Sequence, residues 1–148
     1  MFSKILQIAI PFMWLGAVGA ISFMEAPLKF TAPNIDLPLG LGIGYVVFHA
    51  LNKVEIVFCA VLALTFIFAK PKTKAALVIF AIIASILILQ TFWLFPLLDE
   101  RTMKVIKGEA LPYSNLHIVY IVFDSLKILL LLAVGVIITR SRIHAKPV

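Results

Sequence analysis

The chain has 148 residues, of which 63% are hydrophobic and only 14% charged, with a net charge of +6. That balance lies far outside the range of a soluble domain of this length. A lone cysteine, Cys59, excludes an internal disulfide framework and a cysteine-based zinc knuckle. The basic residues sit at the ends of apolar segments rather than in a patch, so the charge speaks of membrane orientation and not of nucleic acid.

The first spanning segment is expected over residues 5–26, about 33 Å of helix and enough to cross the hydrocarbon core. Pro11 should kink it. The start Met-Phe-Ser-Lys4 and the small residues Gly16-Ala-Val-Gly-Ala20 resemble a signal peptide. Cleavage is not expected, because the apolar run continues past Ala20 to Phe23. Residues 25–39, with Pro27, Pro33 and Pro38, read as a loop. Gly40-Leu-Gly42-Ile-Gly44 lacks the preceding strand and the lysine of a phosphate loop, and instead suits close helix approach.

A second helix is expected over residues 43–69, a basic turn at Lys70-Pro-Lys72-Thr-Lys74, and a third helix over 75–98. Residues 99–114 read as a polar loop, with Met103, Val105 and Ile106 forming a short amphipathic turn on the interface. Ser114 or Asn115 can cap a fourth helix over 116–138. The fold class is therefore all-α, one integral membrane four-helix bundle. With the N-terminus inside, Lys4, Lys70, Lys72, Lys74, Arg140, Arg142 and Lys146 lie inside, against Lys29, Arg101, Lys104 and Lys107 outside. This places the chain in the plasma (inner) membrane with both termini cytoplasmic.

An internal echo divides the chain into two tandem hairpins, about 1–69 and 70–148. Tyr45-Val-Val-Phe-His-Ala-Leu-Asn52 aligns without gaps on Tyr120-Ile-Val-Phe-Asp-Ser-Leu-Lys127. Ser22-Phe-Met-Glu-Ala-Pro-Leu28 aligns on Thr91-Phe-Trp-Leu-Phe-Pro-Leu97. A hairpin repeated with the same polarity implies a pseudo-twofold along the membrane normal, as in some transporters.

The echo specifies a site. Tyr45, His49, Asn52, Ile56 and Cys59 share one helical stripe, flanked by Lys53 and Glu55; Val46, Val47, Ala50, Leu51 and Val54 cover the rest. His117, Tyr120, Asp124 and Lys127 form the equivalent stripe. With Glu25, Gln90 and Asp99 these polar residues come from all four segments, at a depth where a membrane tolerates charge only if it is partnered. Equal depth and the lean of helical side chains predict cross-helix pairs Lys53–Asp124 and Glu55–Lys127. The bland alternative is a polar clasp that only holds the bundle together.

Several chemistries can be weighed on these residues. Haem between His49 and His117 is disfavoured by a height difference of about 10 Å. A metal site drawn from His49, Asp124 and His117, or with Glu25, has acceptable donors but no tight ligand spacing. No cofactor is required by the sequence, and no serine or cysteine is paired with a histidine as a nucleophile needs. The reading that remains is a bilayer protein binding or translocating a small solute, proton or metal ion through an outward-facing site. Its rivals are a histidine-based membrane oxidoreductase and a non-catalytic assembly subunit. Association of copies is left open.

Trp14…Phe23-Met-Glu25-Ala-Pro27…Lys29-Phe30, then His49…Asn52-Lys53…Glu55, then Pro96-Leu-Leu-Asp99-Glu-Arg101 and His117…Asp124…Lys127 resembles a family of small four-helix bacterial membrane proteins of unknown function. The resemblance implies four spans and assigns no activity.

Overall fold

The computed structural model describes residues 2–69, 71, 73–109 and 111–143, and among these there is no strand. Four helices are long and apolar enough to cross a membrane: α1 (Phe2–Thr31), α2 (Leu37–Phe68), α3 (Lys74–Ile106) and α4 (Leu116–Ile143). α1 packs against α2 and α4, and α3 packs against the same two, closing a four-helix bundle. Its outer surface carries Val46, Val57, Leu64, Ile67, Val78, Phe92, Val122 and Leu129, all exposed. Glu55, Gln90, Asp124 and Lys127 are buried instead. Polar inside and apolar outside is the arrangement of a membrane protein, since only an apolar surface is stable against lipid.

Both odd-numbered helices run further than the sequence predicts. Residues 25–31 and 99–106, expected as loop, continue α1 and α3. Each helix meets its proline after a π-helical segment, Gly19–Glu25 before Pro27 and Gln90–Leu94 before Pro96. The wider turn absorbs the carbonyls a proline cannot serve, so the helix bends rather than stops. The expected interfacial turn around Met103 is thereby the last turn of α3. α2 also starts early, because Asp36 caps it by accepting from the Leu39 N–H at 2.9 Å, with Pro38 in its first turn.

The glycines expected to permit close approach do so. A Cβ at Gly40 would strike the Phe30 ring, and one at Gly44 would lie 2.8 Å from Lys29 Nζ. α2 therefore receives the end of α1 through its two buried glycines. The Leu116 N–H donates to Ser114 Oγ at 3.3 Å, so Ser114 serves the start of α4. Below mid-height the core is apolar: Ile10, Trp14, Leu62, Phe66, Leu131, Val134 and Ile138. At the terminal end Gln7 closes the bundle. Its Nε2 donates to the carbonyls of Thr65 and Ala69, and its Oε1 accepts from Arg142 at 2.6 Å.

Candidate functional site

Two connected features occupy the other half. The first is a chamber of about 670 Å³ between the loop ends of all four helices. Phe48, Phe95 and Tyr120 form its wall, with Tyr120 edge-on to Phe48 at 5.3 Å and to Phe95 at 5.7 Å between ring centres. Lys29 reaches in past Gly44, 5.5 Å from the Phe48 ring centre and 3.5 Å from Glu25 Oε2. His117, Arg101 and Asp99 also line it. His49 Nε2 sits 3.0 Å from Asp99 Oδ2, with its ring against Tyr45 and Phe95.

The second feature lies under the chamber floor, which Ser22 and Tyr120 form. The Ser22 hydroxyl donates to Asp124 Oδ2. Gln90 Nε2 donates to Asp124 Oδ1 at 2.8 Å, while Gln90 Oε1 accepts from Lys127 Nζ at 2.6 Å. The same ammonium stands 3.0 Å from Asp124 Oδ1 and 2.6 Å from Glu55 Oε1. The Trp14 indole N–H completes the network by donating to Glu55 Oε1 at 2.8 Å. Lys127, Asp124 and Glu55 are at most 1% exposed. An ion pair so dry is worth its desolvation only when its remaining donors and acceptors are matched. Lys127 meets that demand, since its three N–H groups face three oxygens on three helices.

The predicted Glu55–Lys127 contact is present. The predicted Lys53–Asp124 contact is not: Asp124 is taken by Ser22, Gln90 and Lys127, and Lys53 is exposed on the outer face of α2. The reason is a rotation of α2 from the assumed stripe. Leu51, Asn52, Glu55 and Leu62 face inward, and Ile56, placed on the inner stripe, is 44% exposed. Leu51, assigned to the outer face, is likewise buried. Asn52 is held apart from the charges, its Nδ2 donating to Thr91 Oγ1 at 2.8 Å.

On α4 the stripe Tyr120, Asp124, Lys127 is buried as expected, whereas His117 is exposed at the chamber. His49, Asp124 and His117, weighed together as metal donors, are not gathered into a ligand group. Among the described residues no three His, Cys, Asp or Glu side chains are grouped to hold a metal ion. Trp14, Ser22 and Thr91 were not picked out as site residues. The available signal was the alignment of Ser22 on Thr91, two hydroxyls ahead of aligned prolines. No protein-family model, curated protein or solved structure matches the chain.

Proposed function

We propose that the protein binds, and passes toward the bundle interior, a small amphipathic solute that enters the chamber from the loop end. The observation that carries this reading is the floor of the chamber: Ser22 and Tyr120 line it, and Ser22 is bonded to Asp124 of the buried charge network. A chamber of about 670 Å³ lies within the roughly 300–1,000 Å³ of sites that enclose small ligands. Aromatic walls suit an apolar body, and Lys29, Asp99, Arg101 and His117 suit a polar head. On this reading the apolar core beneath is the closed side of an alternating-access cycle.

The setting belongs to the same proposal: the plasma (inner) membrane, with both termini cytoplasmic and the chamber facing out, as the excess of Lys and Arg on the terminal side supports. Descent from a doubled hairpin is also part of it. The aligned prolines each follow a π-helical segment, and aligned Ser22 and Thr91 each bond the second helix of the opposite hairpin.

Native mass spectrometry of protein released from its own membrane tests the reading. A small-molecule adduct should accompany the natural chain, disappear in Ala26→Trp, which fills the chamber, and persist in Leu77→Trp on the outer face of α3. An adduct equally present in both variants, or absent from the natural chain, overturns it.

A further inference from the structure

The charges of the buried network do not balance. Two carboxylates, Glu55 and Asp124, share one ammonium, Lys127. Among the described residues the ion pairs of both carboxylates are with Lys127; at the chamber Lys29 is paired with Glu25, and His49 lies against Asp99. The remaining neighbours supply hydrogen bonds without formal charge: Trp14 and Ser22 from α1, and Gln90 from α3. The other titratable groups turned toward the network are Cys59 on α2 and Tyr120 on α4, each neutral or negative and so unable to offset a negative charge. With both carboxylates ionised, a net negative charge would lie in a dry core, a cost of several kcal/mol.

The hydrogen bonds show which carboxyl is served as an anion. Asp124 is approached at both oxygens, by Ser22 at Oδ2 and by Gln90 and Lys127 at Oδ1. On Glu55 both donors, Trp14 and Lys127, converge on Oε1. This side chain is 1% exposed, so its Oε2 has almost no access to water. The three N–H groups of Lys127 have three oxygens to face, those of Gln90 at 2.6 Å, Glu55 at 2.6 Å and Asp124 at 3.0 Å.

We infer that the network is a proton-binding site: Glu55 carries a proton at Oε2 while Lys127 and Asp124 stay charged, and that proton exchanges with the chamber. The balance is simple. One proton from chamber water enters by way of the Ser22 hydroxyl, which passes a proton to Asp124 Oδ2 and regains one from water. Once its carboxyl turns, Asp124 gives that proton to Lys127 as the ammonium gives one to Glu55 Oε1, and a turn of the Glu55 carboxyl brings the proton to the Oε2 position. The network returns from net −1 to net zero. A solute arriving on Ser22 and Tyr120 would meet the first group of this chain, so proton release and solute binding share one door. The exchange route rests on the chamber proposed above; the bound proton does not.

Infrared spectroscopy of the protein in lipid nanodiscs at neutral pH is the test. The natural chain should give a carboxylic acid C=O stretching band that shifts down after exchange into D2O. Glu55→Gln should remove it. Asp124→Asn should remove it too, because Glu55 then ionises against Lys127. Lys127→Met should enlarge it, since both carboxyls take up protons. Circular dichroism confirms that each variant is helical, and the opposed directions keep the test decisive if one variant fails to fold. Absence of the band from the natural chain, or its survival in folded Glu55→Gln, overturns the inference. A band that never shifts in D2O overturns the exchange route. Loss of the solute adduct in Ala26→Trp with the band intact shows the proton site standing apart from the solute site.

Discussion

The two halves of the bundle solve the same problem in opposite ways. At the terminal end, Leu62, Phe66, Leu131, Val134 and Ile138 fill the space between helices, and Gln7 ties loose carbonyls together. At the loop end the helices bend at π segments and prolines, stand apart, and enclose a chamber above a network of charge. Close packing needs nothing but shape. A structure that spreads its helices and buries three ionisable side chains gives up packing, and must match every charge to hold. The contrast supports the proposal that the loop half takes a ligand and the terminal half closes the bundle.

The largest effect should come from Lys127→Met, which takes from the buried Asp124 carboxylate its only cation among the described residues. A loss of about 3–5 kcal/mol is expected in reversible unfolding from mixed micelles. Adding Asp124→Asn should recover part of it, so a double-mutant cycle should show coupling; strict additivity would break the account of the network. Leu62→Ala, in the closed half, should cost about 2–5 kcal/mol by leaving a cavity, while the chamber keeps its solute adduct. If it abolishes the adduct instead, the halves are not separable.

Gln7→Ala should cost about 1–3 kcal/mol, the value of buried partners left unpaired. Exposed Lys53→Leu should change stability by less than about 0.5 kcal/mol. A large loss there would return Lys53 to the interior and restore the sequence-based pairing.

How much was legible follows from which interactions are local. Hydropathy over about twenty residues gave four spans, and the α4 stripe Tyr120, Asp124, Lys127 has the spacing that helical geometry alone imposes. Glu55 and Lys127 could be paired because equal depth and charge are sequence properties. The phase of α2 was not legible. It is set by Phe30 and Lys29 entering Gly40 and Gly44 from another helix, and an error of one position moved Glu55 from flank to centre and sent Lys53 outward. Nor could the prolines show that a π segment would carry each helix through them, which hid the helical turns that frame the chamber. Trp14, Ser22 and Thr91 belong to the site by reaching across the bundle, and no local pattern records that.

The central claim is that water reaches the charged network from the loop end alone. In a Cys59→Ser background, single cysteines at Ser22 and at Leu62 should be offered a charged, membrane-impermeant maleimide from each side of sealed vesicles. The account predicts labelling of Ser22→Cys from the loop side only, and none of Leu62→Cys from either side. Labelling of Leu62→Cys, or of Ser22→Cys from the terminal side, would contradict it.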